Sequence, residues 1–300
     1  VFDPENPACS VESVPVSVND RTRFIYEAAC CGLRDFFVKN GYKKACVGVS
    51  GGIDSAVVAC LAVAALGAEN VRGLMMPSQF SSEGSVEDAK QLAENLGIEF
   101  HVVPITEAYR SIVDTLIPVI GGTDFDATEE NIQSRIRTLM LMALQNKNGY
   151  VLLNCSNKSE NALGICTLYG DTGGAFSVTG DLYKTEMYDL ARYINRKFGA
   201  PIPENILTKE PSSELRPNQK DSDMLPSYEV VDAILYRLIE DGQSREEIIN
   251  AGFDSDEVQK IYAMVMRNEK KRFQYPPVLR LSSSSFGHEY RMPLTHKYVK

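Results

Sequence analysis

Two apolar runs, Ala45–Val49 and the eleven-residue Ala56–Leu66, are separated only by Ser50-Gly51-Gly52-Ile53-Asp54-Ser55. A membrane-spanning helix needs ~20 apolar residues, so the longer run is read as a core helix, closed by Gly67. The shorter run is read as a buried strand. The pattern then repeats: strands at Val71–Met76, Ile98–Pro104 and Tyr150–Cys155, and helices at 82–96, 106–117, 126–146 and 181–198. Strands alternating with helices of this length predict βαβ units and a parallel sheet covered on both faces. Three hundred residues are enough to bury a substantial core.

The two ends read differently. Residues 1–18 have no helical period and are read as an arm or linker, with a helix from about 19 to 40 behind it. The segment 209–226 is polar and rich in Pro, Ser and Asp, and is expected to be a mobile loop. Residues 227–300 are expected to form a helical C-terminal extension, with helices at 227–240, 244–251 and 255–273. An irregular tail with four consecutive serines, Ser282–Ser285, follows.

The formal net charge of −9 excludes a protein that coats nucleic acid. The N-terminus has neither the basic nor the apolar region of a signal peptide. Seven cysteines, none in a C-x-x-C pair and four in apolar segments, fit a reducing cytoplasm better than a disulfide framework.

Ser50–Ser55 is the sharpest chemical signal. Paired glycines permit a tight turn and close backbone approach. Successive amides at a helix N-terminus then make an anion site, to which Ser50 and Ser55 add hydroxyls. Asp54 would repel a bare phosphate, so its presence implies a bound cation such as Mg2+. Rival phosphate motifs are absent: no Gly precedes a Lys and no G-x-G occurs. His101, His288 and His296 are too scattered for a His-rich zinc site. Asn131, Arg135 and Arg137 read equally well as a solvated helix face. Asn157-Lys158-Ser159-Glu160 reads equally well as a capping box, and Lys270-Lys271-Arg272, taken alone, reads better as a solvated helix end complementing its dipole.

At Ser50–Ser55 the chain resembles the N-type ATP pyrophosphatases, which cleave ATP between its α- and β-phosphates. Further motifs narrow the resemblance: Met76-Pro77-Ser78, Asn131–Arg137, Asn157–Glu160, Thr167–Asp171, Lys184-Thr185, Lys209–Leu215 and Asn268–Arg272. In this order and spacing they are similar to NAD synthetases, in a spelling nearest the synthetase domain of glutamine-dependent enzymes, over residues 20–290. The resemblance implies a doubly wound parallel sheet of the adenine nucleotide alpha hydrolase type. It implies ATP contacts from Gly48, Val49, Ser50, Gly51, Gly52, Ile53, Asp54, Ser55, Cys155, Lys184 and Ser212. Asp54 and Lys184 are the implied catalytic pair, and Asp54 and Glu160 the implied Mg2+ ligands. Asn131, Arg135, Glu160 and Lys271 would contact deamido-NAD+.

Two departures stand out. Cys155 takes the place of a Thr that usually contacts ATP. Leu168 and Ala175 stand where ammonia-only synthetases carry a Lys and an Asp at the nicotinate end. The implied reaction is a ligation in which deamido-NAD+ is adenylated by ATP and then amidated by ammonia. The implied assembly is a homodimer or higher homo-oligomer, with helix 128–146 as the candidate interface. Nothing before residue 40 is long enough for a nitrilase-like glutaminase, so the expectation is an isolated synthetase domain or one using free ammonia. The rivals are another ATP pyrophosphatase, GMP synthetase-like or tRNA-modifying, and a non-catalytic nucleotide-binding subunit.

Overall fold

The computed structural model describes residues 21–121, 124–217, 219–220, 223 and 225–297. The arm expected at 1–18 lies outside them. A five-stranded sheet comprises β1 (Lys44–Gly48), β2 (Val71–Met75), β3 (Glu99–Val102), β4 (Tyr150–Asn154) and β5 (Phe176–Ser177), in the order β3-β2-β1-β4-β5. Every pair is parallel, and β1 is matched Ala45 to Val71 of β2 and Ala45 to Val151 of β4. The doubly wound α/β expectation is therefore met.

The burial pattern explains why the strands read as unbroken apolar runs. Successive side chains point to opposite faces, and both faces are covered. Ala45, Val47, Val151 and Leu153 join the core under α1 (Arg21–Lys39), α2 (Ile53–Leu66), α3 (Glu83–Leu96) and α7 (Lys184–Phe198). Cys46, Leu74, Tyr150 and Leu152 face α4 (Thr106–Ile120) and α5 (Ala127–Asn148). Helix α2 is apolar nearly all round because sheet, α1 and α7 enclose it.

Helix α6 (Lys158–Leu163) begins where the capping-box reading of Asn157–Glu160 places a helix start, with Asn157 as its N-cap, but two short elements have no expected counterpart: α8 (Glu204–Thr208) and the two-residue β5. They are too short to carry a periodicity. The helix expected at 181–198 starts at Lys184, because residues 179–182 turn back toward α6: the Lys158 amide donates to the Leu182 carbonyl at 2.7 Å. The C-terminal helices are α9 (Tyr228–Ile239), α10 (Arg245–Asn250), α11 (Ser255–Arg267) and α12 (Glu269–Arg272). The single helix expected over 255–273 breaks at Asn268, whose side-chain amide donates to the Leu163 and Met264 carbonyls, both at 2.8 Å. These helices build a second apolar core around Val231, Leu235, Ile261 and Val265, against Ala162 and Leu163 of α6. The chain then returns to the sheet, where Pro277–Leu279 pairs alongside Ser177 of β5. Among the described residues no helix is long and apolar enough to cross a membrane.

Burial sets thiol reactivity. It pushes Cys46 and Cys60 up to about 12, whereas Cys31 is exposed. The thiolate is the reactive form. At pH 8, iodoacetamide labelling followed by peptide mass mapping should mark Cys31 first and leave Cys46 and Cys60 unmarked until denaturation. Equal labelling of all three in the folded protein contradicts the core placement.

Candidate active site

The strand order reverses between β1 and β4, since the chain proceeds outward to β2 and β3 and returns to β4 and β5. Open α/β sheets hold ligands outside the carboxyl ends of the strands at such a switch point. Here a cavity of about 320 Å³ opens, walled by the Ser50–Ser55 loop after β1 and by Asn154–Ser156 after β4.

The loop after β1 is fixed by its own side chains. The Ser50 amide donates to Ser55 Oγ at 3.1 Å, Ser55 Oγ donates to the Gly52 carbonyl at 3.1 Å, and the Gly52 amide donates to Ser50 Oγ at 3.2 Å. Gly51 has φ of +78°, and a Cβ there would stand 2.2 Å from the Ser85 carbonyl oxygen. Only glycine meets both conditions. Gly48, Val49, Ser50, Gly52, Ile53, Asp54 and Ser55 line the cavity, while Gly51 shapes the turn behind it.

Three charged side chains from three elements meet over this loop. Lys184 Nζ, at the start of α7, lies 2.6 Å from Asp54 Oδ2 and 3.5 Å from Glu160 Oε1. Asn157 bridges them, donating to Asp54 Oδ1 at 2.9 Å and accepting the Glu160 amide at 3.0 Å as the N-cap of α6. The Lys184 side chain is 4 % exposed, against 17 % for Asp54 and 23 % for Glu160. Burial opposes its charge, but the two carboxylates outweigh burial and hold its pKa well above the usual lysine value. A buried, protonated ammonium thus sits beside two carboxylates that still reach the cavity.

Asp54 and Glu160 are hard oxygen donors converging on one positive centre. That suits Mg2+, which binds through one or two carboxylates and completes its shell with water and phosphate. No group of three His, Cys, Asp or Glu able to hold a metal alone occurs among the described residues. Cys155 lines the same cavity, and burial next to Asp54 and Glu160 pushes its thiol strongly upward. It therefore stays protonated and is a weak donor.

The other expected residues divide. Ser212 lines the cavity, but its hydroxyl donates to the Gln219 carbonyl at 2.6 Å and accepts the Glu214 amide. Asn131, Arg135 and Lys271 brace the segment beside the cavity wall. Asn131 Oδ1 accepts from Thr167 Oγ1 at 2.6 Å, Arg135 Nε donates to the Leu168 carbonyl at 3.1 Å, and Lys271 Nζ donates to the Gly164 and Cys166 carbonyls at 2.7 and 2.8 Å. Leu168 is used here through its carbonyl, and Ala175 packs against the main core.

Several cavity residues were not expected. Arg137 donates from Nε to the Met76 carbonyl at 2.9 Å, and burial lowers its guanidinium to about 10. A signal was present: six residues from Asn131 turn a side chain well away from the face shared by Asn131 and Arg135. Asp171 lines the same wall, and burial raises its carboxyl to about 6 although the Thr167 amide and Lys271 pull it down. Glu214 closes the rim. Its carboxylate accepts the Ser82 amide at 3.1 Å, Ser82 Oγ at 2.8 Å and Ser85 Oγ at 2.7 Å, at the N-terminus of α3. Lys209 adds a second tie to α3 through Asp88 at 3.0 Å.

Comparison with known proteins is decisive on family. The NAD synthase family model matches residues 25–275. The chain belongs to the NAD synthase family. It is 52 % identical to the glutamine-dependent NAD(+) synthetase of Aquifex aeolicus over 92 % of this chain and 48 % of that protein. It is 47 % identical to the enzyme of that name from Thermotoga maritima, over 93 % and 48 %. The chain thus spans about half the length of the curated relatives it matches. Among solved structures, the glutamine-dependent NAD+ synthetase of Acinetobacter baumannii in complex with ADP matches 95 % of this chain and 51 % of that one, at 41 % identity and TM-score 0.64. The NH3-dependent NAD synthetase of Campylobacter jejuni, in complex with nitrate, matches 83 % and 95 %, at 30 % identity and TM-score 0.67. Every residue that the sequence assigned to the NAD synthase site falls inside the matched region.

Glu214 has φ of +49°, a strained setting for a non-glycine residue. Its three hydrogen bonds hold it there. Glu214→Ala should therefore release the 209–217 segment, and trypsin cleavage after Lys209 should rise by about fivefold or more, as expected for losing ~1 kcal/mol. Unchanged cleavage means that the strap is held by other contacts.

Proposed function

We propose that the chain amidates deamido-NAD+ to NAD+ at the expense of ATP, releasing AMP and pyrophosphate, as a carbon–nitrogen ligase of NAD biosynthesis. The observation that carries this reading is the meeting of Asp54, Glu160 and Lys184 over the Ser50–Ser55 loop, in a member of the NAD synthase family.

A carboxylate is a poor electrophile and must first be activated. A nicotinate carboxylate oxygen attacks the α-phosphorus of ATP, the bond to the bridging β-phosphate oxygen breaks, and pyrophosphate leaves. The nitrogen of ammonia then attacks the adenylated carbonyl carbon, the carbon–oxygen bond to AMP breaks, and the nitrogen loses a proton. Ser50, Gly52 and Ser55 cradle the pyrophosphate at the N-terminus of α2, while Gly51 keeps the turn tight. Gly48, Val49, Ile53 and Cys155 wall the ATP, Cys155 through shape and backbone more than through its thiol. Ser212 closes over the phosphates from the rim.

Lys184 is charged before substrate arrives, held so by Asp54 and Glu160, and it opposes the negative charge that builds between the α- and β-phosphates. Asp54 and Glu160 would hold Mg2+, which supplies charge neutralisation across the phosphates. Asn131, Arg135, Glu160 and Lys271 receive deamido-NAD+ beside the 164–168 segment. The rest of catalysis is positioning, with no covalent intermediate on the protein. The nitrogen source is ammonia, free or released from glutamine by a nitrilase-like glutaminase. The working form is a cytoplasmic homodimer or higher homo-oligomer. Helix α5, which leaves Leu139 66 % exposed, supports it as the contact face.

The 300-residue chain, given ATP, Mg2+, deamido-NAD+ and ammonium, should release AMP, pyrophosphate and NAD+ in equal amounts. Lys184→Met should lower kcat by about 100- to 1000-fold, the effect of removing one preorganised charge-stabilising group. Asp54→Ala should abolish turnover. Absence of product with the unmutated chain, or full activity in Asp54→Ala, rejects the function.

A further inference from the structure

The run Ser282–Ser285 has no part in the chemistry above and lies outside the 25–275 family match. In the fold it closes on a buried charge cluster. Lys158 has a side chain with 0 % exposure, and its ammonium meets Asp181 Oδ1 at 2.9 Å, the Glu240 carboxylate, Ser282 Oγ at 2.7 Å and the Ser284 carbonyl at 2.9 Å. Both carboxylates then grip the tail's backbone. Asp181 accepts the amides of Leu281 and Ser282, each at 2.7 Å, and Glu240 accepts the amide of Ser284 at 2.9 Å.

A buried ion cluster adds little stability over well-packed apolar residues of equal size. What this one does is geometric. Lys158 is the first residue of α6, between Asn157, which holds Asp54, and Glu160. Its amide donates to the Leu182 carbonyl at 2.7 Å, and the neighbouring Ser159 Oγ accepts the Lys184 amide at 2.9 Å. Helix α6 has six residues, too few to hold its own position. Its N-terminal end is held by its side chains: Ser159 Oγ donates to Asp232, Asn161 donates to the Gly180 carbonyl at 3.1 Å, and Lys158 ties it to the tail.

We infer that Leu281–Ser285 is a clasp, locked on the buried Lys158–Asp181–Glu240 cluster, that sets where Glu160 and Lys184 stand, with Lys158 as its positioning residue. The role given to those two side chains rests on the proposed function; the clasp itself rests on the contacts. Residues outside the family match are thereby made part of the site's support.

The test uses the whole chain and two conservative variants, Ser282→Ala and Glu240→Gln, with Lys158→Met as the severe case. Amide hydrogen exchange of the ligand-free chain needs neither nucleotide nor metal. The clasp predicts faster exchange in both conservative variants at 157–164 and 182–186, with β1 and β2 amides unchanged. Uniform acceleration across the sheet, or no change at α6, overturns it, whatever becomes of Lys158→Met. Calorimetry with a non-hydrolysable ATP analogue, with Mg2+ and then with EDTA, gives the second readout. The gain in affinity from Mg2+ should fall about tenfold in Ser282→Ala, the lower end for loss of an outer support to a metal site. An equal gain in unmutated and variant chains overturns the positioning role. An unmutated chain that binds no analogue but shows the local exchange pattern overturns the proposed function and leaves the clasp standing.

Discussion

A protonated lysine buried between two carboxylates governs this structure. Lys184 is charged in a place where burial works against charge, so Asp54 and Glu160 must both stand beside it. These residues belong to α2, α6 and α7, and the requirement of charge pairing draws the loop after β1, the loop after β4 and the start of α7 to one point. An unpaired member would be costly to bury, which makes the arrangement all-or-none. The same three groups give the cavity its chemistry: a fixed positive charge beside two oxygen donors.

The rest of the architecture serves that point. The sheet reverses its strand order at β1 and β4, so both loops emerge side by side. The C-terminal helices give α6 an apolar bed through Leu163 and Val265 and cap its far end through Asn268 and Lys271. The net charge of −9 is compatible with the anionic substrates of the proposed function because the cations near the cavity are few and placed. Lys184 and Arg137 reach the cavity, while Arg135 and Lys271 hold its neighbouring backbone.

Much of this was legible in the residues. The repeated alternation of apolar strands with helices, beginning at Ala45–Leu66, specified a parallel sheet with both faces covered, because parallel neighbours need crossover helices that must pack on the sheet. Ser50, Asp54 and Ser55 led to the expectation of an anion and cation site through residue type alone, and the fold places all three on the cavity. The distant members, Glu160 and Lys184, came from resemblance; no local pattern sets a lysine at 184 against an aspartate at 54. Arg137 was passed over because it was grouped with Asn131 and Arg135, although helical geometry separates them. Glu214 falls within the Lys209–Leu215 motif, but its role could not be read from the sequence, since it depends on a left-handed backbone and a helix end 132 residues away.

By itself, then, the sequence determined the α/β class, the glycine-bound turn and the chemistry available at Asp54, for these follow from steric rules and apolar periodicity acting over a few residues. The tertiary structure alone decided that Lys184 is charged, that α6 is anchored through Lys158, that the single helix expected at 255–273 breaks at Asn268, and that a run of four serines fastens the tail beneath the site. Each of these depends on groups far apart in the chain sharing a buried volume, where an unpaired charge or a lone polar group is too costly to stand alone.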